Sequence, residues 1–194
     1  MFNLILFGPP GSGKGTQAAR IAEKYNMAHI STGEIFRREI RNGTELGQRV
    51  KNIIEKGDLV PDILLIDILR SALEKDAKPG GVIFDGFPRT LPQAADLDIL
   101  MIDLKQKVNL VLALEVNEEE VVKRLLIRAQ QEGRKDDTEE VIRNRMAVYH
   151  KQTAPLIQYY EKQGKYQSIQ GMGTIDEIFD GICQVIDRAM GQNL

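Results

Sequence analysis

The sequence holds little for covalent cross-linking or for caging a metal. Its 194 residues include one cysteine, Cys183, so an intrachain disulfide is impossible. A structural zinc site takes about four Cys or His ligands. One Cys and two His do not easily supply them, so no zinc is expected. The two histidines, His29 and His150, show no partner pattern in the sequence and receive no catalytic role. No apolar run reaches the roughly 18 residues that span a bilayer. The N-terminus lacks a basic segment followed by an apolar one ending in small residues, so its short apolar run reads as a strand and not as a signal. The expectation is a cytoplasmic protein without a membrane partner. Strong net charge is missing too: 26 basic residues face 28 acidic ones. Such a surface does not advertise nucleic acid binding. Internal repeats, low-complexity tracts and linkers are also absent.

What is present is regular alternation. A hydrophobic content of 42% and a charged content of 28% suit a globular chain. The length fits one domain, 1–194, with a sizeable core and room for insertions. Apolar runs at Phe2–Phe7, Ala28–Ile30, Val82–Phe84, Leu110–Val116 and Tyr166–Ile169 predict strands, and helical patterns fill the intervals. Strands separated by helices predict a parallel sheet covered on both faces. Ligands of such sheets bind beyond the carboxyl ends of the strands. Cys183 sits among Ile178, Phe179, Ile182 and Ile186 and reads as a buried apolar thiol.

The first apolar run breaks off into Gly8-Pro9-Pro10-Gly11-Ser12-Gly13-Lys14, and a helical stripe of Ala18, Ala19, Ile21 and Ala22 follows. Successive N–H groups in a glycine-permitted turn form an anion nest. The next helix adds its dipole and its unpaired N–H groups. Lys14 adds a mobile charge. The spacing Gly8-x4-Gly13-Lys14 fits the opening of the Walker A phosphate-binding pattern. Its last position departs: Gly15 stands where Ser or Thr is expected, and Thr16 comes one later. The predicted fold is α/β, of the P-loop NTPase type, with three layers around a five-stranded parallel sheet.

Further along, Ser31 and Glu34 make a capping box that starts a helix after the second strand. Arg37 on that helix suits either an anion clamp or a solvated face. Residues Gly33 to Leu73 read as three short helices, broken at Asn42-Gly43 and Gly57-Asp58, with Pro61 opening the third. The third strand ends in Asp85-Gly86-Phe87-Pro88-Arg89. Its Asp either organises Mg²⁺ as in a Walker B element or merely ends the strand. Asn117 and Glu120 start a helix that carries Arg124 and Arg128 on one face. Glu120 is an ordinary partner for Arg124. A short polar stretch follows, and Asp137 with Glu140 is expected to cap the next helix. There Arg145 has Val141, Ile142, Val148 and Tyr149 around it. A buried arginine needs an anion, from a distant carboxylate or from a substrate. Arg143 has Glu139 and Glu140 nearby and reads as surface. The loop Gly171-Met172-Gly173-Thr174 opens the last helix on the ligand side.

No Ser-His-Asp set and no free nucleophilic cysteine stands out, and phosphoryl transfer needs neither. Its catalysis is mostly positioning plus positive charge on the transferred group. One glycine nest, one metal carboxylate and an excess of arginines form the matching inventory. A closing segment must then exclude water, or the donor is hydrolysed. The Gly8–Gln17 loop, Ser31-Thr32-Gly33 with Arg37, Leu59-Val60, Asp85–Thr90 with Gln93, Arg124 with Arg128, Arg134–Asp137 and Arg145 together resemble the adenylate kinase family over nearly the whole chain, including its Gly15-Thr16 order. Only ten residues make up the stretch from Arg128 to Asp137 inclusive, none of them Cys, which resembles the family's short-lid form without zinc.

The resemblance implies the reaction ATP + AMP ⇌ 2 ADP with Mg²⁺, carried out by a monomer. It implies an AMP-binding helical insertion at 31–60 and a lid at 128–137. Gly11, Ser12, Gly13, Lys14, Gly15 and Thr16 would hold ATP phosphates, with Arg124 and Arg128 gripping ATP and Gly173 near its base. Thr32, Arg37, Asp58, Leu59, Val60, Gly86, Phe87, Pro88, Arg89 and Gln93 would form the AMP site. Arg134 and Arg145 would bridge towards AMP and the transferred group, Asp85 would hold Mg²⁺ through water, and the Phe87–Pro88 bond would be cis. The rival readings are a UMP/CMP kinase and a P-loop regulatory ATPase. Thr32 and Gln93 favour AMP over the first, since an amide can both donate and accept at an adenine edge. The second leaves the additional arginines unexplained.

Overall fold

The computed structural model describes residues 1–76, 78–133 and 138–191. Five parallel strands form one sheet in the order β2-β3-β1-β4-β5. They are β1 (Phe2–Phe7), β2 (Ala28–Ser31), β3 (Gly81–Asp85), β4 (Leu110–Glu115) and β5 (Tyr166–Gln170). All five strand expectations hold. β1 matches its expected range, β2 and β5 each gain one residue at the carboxyl end, β3 gains one at each end, and β4 stops one short of Val116. β1 lies centrally, with Leu4 opposite Ile83 of β3 and Leu110 of β4. The chain leaves β1 for one side of the sheet and later crosses to the other. A crevice therefore opens at the carboxyl end of β1.

Strand alternation divides the core into two layers. Leu4, Leu6, Ile83, Leu112 and Leu114 pack against Ala18 and Ile21 of α1 (Lys14–Lys24) and against Ile178, Ile182 and Ile186 of α9 (Ile175–Gly191). Ile5, Phe7, Ile30, Phe84 and Val111 face the other way. They meet Leu65 and Leu69 of α4 (Ile63–Asp76), Leu97 and Leu100 of α5 (Leu91–Asp103), and Tyr160 of α8 (Leu156–Glu161). Each fully buried aliphatic side chain contributes about 1.5–3 kcal/mol. Cys183 is a buried free thiol on α9, as its apolar neighbours suggested.

Between β2 and β3 lie α2 (Thr32–Arg41), α3 (Glu45–Lys56) and α4. Ser31 Oγ accepts from Glu34 N at 3.4 Å, which is the expected cap of α2. Thr44 caps α3, and Gly57 ends it in the left-handed region. Pro61 does not open α4. The Pro61 and Asp62 carbonyls accept from Leu64 and Leu65 and form the turn that precedes it.

After β4 come α6 (Glu118–Glu132) and α7 (Glu139–Val148), followed by a π-helical turn at Tyr149–Thr153. Asn117 caps α6, accepting from Glu120 N at 2.8 Å. The cap of α7 is Thr138, whose hydroxyl accepts from Val141 N, and not Asp137 as the sequence suggested. The hydroxyl one residue closer to the helix satisfies the free N–H. Asp137, like Arg134, lies outside the described residues. No helix among the described residues is long and apolar enough to cross a membrane.

Candidate active site

A cleft of about 1530 Å³ opens over the carboxyl ends of the strands, walled by the glycine loop, α2 and α6. The loop follows β1 directly. Gly11 has φ +77°, and an added Cβ would stand 2.8 Å from Leu125 Cγ, so the loop can lie flat on α6 only without a side chain there. Lys14 folds back across the loop. Its Nζ donates to the Gly8 and Pro9 carbonyls at 2.8 Å each and to Ser12 Oγ at 3.1 Å. Withdrawal from water lowers its pKa to about 8; the Arg89 and Arg128 charges act in the same direction and Asp85 opposes them.

Asp85 ends β3 beside the loop and is almost fully buried. Burial alone would raise its pKa. The hydrogen bond from His29 and the charges of Lys14 and Arg89 outweigh that and hold the carboxyl below its usual range. His29 Nε2 lies 3.2 Å from Asp85 Oδ2. A carboxylate only accepts, so Nε2 carries the proton. His29 shows no partner in the sequence, because the contact depends on β2 pairing with β3 in a register that puts His29 opposite Ile83. A folded-state pKa below the unfolded value means that the Asp85 contribution to stability is complete above about pH 4 and is lost as pH falls through the folded pKa. His29→Leu is therefore expected to cost about 2 kcal/mol near neutral pH and to move acid unfolding to higher pH. Tm followed between pH 3 and 7 checks this; an unchanged acid limb would refute it.

Across the cleft a second, smaller cavity of about 60 Å³ is lined by Thr32, Leu59, Val60, Gly86, Arg89 and Gln93. Arg37 and Arg145 also reach it. Arg37 lies back against its own helix start, 3.1 Å from where a Gly33 Cβ would stand. Gly86 has φ +79°, and a Cβ there would meet an Arg89 guanidinium nitrogen at 2.9 Å. Its carbonyl accepts from Arg89 Nε at 2.7 Å and Thr32 Oγ1 at 3.0 Å. The peptide bond between Phe87 and Pro88 is cis, as the resemblance implied.

Arg89 is held along its backbone as well. Its N–H donates to Gln93 Oε1 at 2.7 Å, and its carbonyl accepts from Thr153 Oγ1 at 2.8 Å. Thr153 lies in the π-helical turn, a geometry often found at functional sites. The guanidinium keeps an open face to the cleft. The crowded walls and the like charge of Arg145 lower its pKa. Arg145 is half-buried rather than buried, its stem against Gly57 and its charge towards Arg89. Two cations directed into one cavity make an anion site.

The other predicted residues fall as follows. Arg124, Arg128 and Gly173 line the large cleft with Gly11 to Thr16. Arg124 donates to Glu120 at 2.7 Å, so the ordinary helical pair is formed. Arg143 pairs with Glu139 on the surface, as expected. Asp58 lines the small cavity, but its carboxylate accepts from Asn144 Nδ2, which also donates to the Lys56 carbonyl. Asn144 thus ties α7 to the α3–α4 turn. His29, Asp62, Asn144 and Thr153 were not singled out in the sequence. Each acts through a partner at least 31 positions away, so no local spacing could reveal them.

A glycine loop at the switch point of a parallel sheet, facing a second cationic cavity across one cleft, defines a P-loop phosphotransferase. The chain belongs to the adenylate kinase family, whose model, described as "Adenylate kinase", matches residues 6–165. The adenylate kinase of Bacteroides fragilis is 51% identical over 187 residues, covering 96% of this chain and 99% of its own. That of Phocaeicola vulgatus is 52% identical over 188 residues, with 97% and 100% covered. That of Methanothrix thermoacetophila is 45% identical, with 96% and 99% covered.

Proposed function

We propose that this enzyme transfers the γ-phosphoryl group of ATP to AMP, giving two ADP, and so balances adenine nucleotides. One observation carries the choice of acceptor: a buried glutamine amide, Gln93, in a small cavity that also holds Arg89 and Arg145. In this reading ATP lies on Gly11 to Thr16, with Lys14 and Arg128 on its phosphates and Gly173 near its base. AMP enters the small cavity. Thr32, Leu59, Val60 and Gln93 surround its base, while Arg37, Arg89 and Arg145 take its phosphate. An oxygen of that phosphate attacks the γ-phosphorus, the bond to the β-bridging oxygen breaks, and ADP leaves. Both nucleotides are anions, so cationic side chains must hold them together at reacting distance.

A magnesium ion entering with ATP fits the donor set. Mg²⁺ takes one or two carboxylates and keeps waters and substrate oxygens for the rest. Asp85 offers one carboxylate beside the loop, and among the described residues no cluster of three His, Cys, Asp or Glu could cage a metal. When bound, the ion would neutralise phosphate charge. The helical insertion at 31–60, the short lid at 128–137, the role of Arg134, a monomeric state, a cytoplasmic location and the absence of zinc belong to the same proposal and rest on motif and composition.

A panel of acceptors tests it. ATP is mixed in turn with AMP, UMP, CMP and GMP, and diphosphate formation is followed. AMP should be strongly preferred, and chelation of Mg²⁺ should stop turnover. Preference for UMP or CMP would overturn the AMP assignment, and phosphate release without any acceptor would overturn the kinase reading. Arg145→Ala is expected to lower kcat about a hundredfold with little change in Tm, because the side chain is half-buried at the cavity wall and outside the hydrophobic core. Turnover of the purified variant near the parent's would refute that role.

A further inference from the structure

Gln93 is 2% exposed, and its amide is fixed at both ends by the protein. Nε2 donates to Asp62 Oδ1 at 2.6 Å, and Oε1 accepts from Arg89 N at 2.7 Å. The two partners have opposite and invariant polarity. A backbone N–H can only donate, and an ionised carboxylate can only accept. The amide therefore cannot turn over: a flip would set its oxygen against the Asp62 carboxylate and its NH₂ against the Arg89 N–H. Asp62 does not line the cavity; it stands behind Gln93, just before α4.

We infer that Asp62 is a specificity-determining positioning residue, which locks the Gln93 amide in the one orientation that reads a 6-aminopurine. The inference rests on the reading of Gln93 as the base contact. With one N–H and one lone pair spent on protein, the amide has one N–H and one carbonyl lone pair left. An adenine edge offers the complement, a 6-amino donor beside the N1 acceptor. A 6-oxopurine offers the reverse, an O6 acceptor beside an N1–H donor. It could pair only with a flipped amide. Cytosine offers the same polarity as adenine, so the lock cannot reject it; pocket size must do that. Selection of this kind is strong because the wrong base leaves buried polar groups unpaired.

The test compares kcat and KM for AMP, IMP and CMP with saturating MgATP in the parent and in Asp62→Leu, Asp62→Asn and Gln93→Leu. Asp62→Leu removes one of the two fixed partners and so lowers the cost of turning the amide, which the Arg89 N–H alone then opposes. The AMP-over-IMP ratio of kcat/KM is expected to fall about tenfold, mainly through the KM values, while the AMP-over-CMP ratio stays put. Asp62→Asn can still accept through Oδ1 and should restore most of the discrimination. Asp62→Ser serves in place of Asp62→Leu if the latter does not fold. Equal losses for AMP, IMP and CMP would mean a merely structural role and would overturn the inference. If Gln93→Leu lowers the AMP-over-IMP ratio but Asp62→Leu does not, the Asp62 lock fails and the base contact stands. If Gln93→Leu leaves that ratio unchanged, the base contact itself fails.

Discussion

Arg89→Ala is expected to lower kcat about a thousandfold while Tm stays close to that of the parent. The side chain is aimed from four sides: its N–H at Gln93, its carbonyl at Thr153, its Nε at Gly86, and its open face towards the cleft. Three of these contacts are made by the backbone or by Nε, and the two backbone ones survive truncation. The guanidinium feels both the like charge of Arg145 and the opposite charge of Asp85. In the free enzyme these two charges offset one another, so the loss of Arg89 is felt chiefly where phosphate is transferred. Rate and stability should separate. Arg89→Lys should recover little, because Nζ cannot reproduce both the Nε bond to Gly86 and a fork on phosphate. Steady-state kinetics beside thermal melts checks this. A variant that loses stability in step with activity would show Arg89 to be structural.

The second large effect concerns Lys14. Lys14→Met is expected to lower kcat/KM for ATP about a thousandfold and to abolish the proton uptake expected of the parent. In the free protein the Lys14 pKa is lowered to about 8. A triphosphate laid over the loop replaces water with negative charge and raises it again. Nucleotide binding should therefore take up a proton between about pH 8 and 10, and ATP affinity should fall with rising pH above 8, by at most about tenfold per unit. In the nucleotide-free protein the unfolded chain holds this proton longer than the folded one, so the Lys14 contribution to stability rises from pH 8 towards the unfolded value of 10.5. Calorimetric titration with ATP at pH 8.5, in two buffers of different ionisation enthalpy, measures the uptake. The same uptake in Lys14→Met would assign the proton elsewhere.

How much of this was legible in the sequence follows from what each feature depends on. The five strands, the glycine loop and the caps at Ser31 and Asn117 are local. Each is set by side-chain period, by a required backbone angle or by a hydroxyl or amide three residues from an N–H. They were placed to within two residues. The cap at Thr138 was missed because Asp137 and Thr138 are both good capping residues, and only the helix register separates them. Arg145 was expected on a buried stripe. It is half-buried, its stem against Gly57, far along the chain, and it lines the small cavity. The pairing of Arg124 with Glu120 was one of two open readings, and helix geometry alone could not choose while the cleft wall was unknown.

The sequence by itself determined that this is a parallel α/β chain with a phosphate nest after its first strand and more arginines near strand ends than surface solvation requires. Local chemistry suffices for that, because a glycine loop before a helix binds anions wherever it is placed. Only the tertiary structure decided which charges share a cavity. His29 meets Asp85 because β2 pairs with β3, and Arg89 is held by Thr153 because α7 unwinds into a π turn above it. Gln93 has a fixed polarity because Asp62, 31 residues earlier, packs behind it. Hydrogen bonds and ion pairs act over a few ångströms in space without regard to distance along the chain, so these partners exist only once the sheet and its helices have assembled.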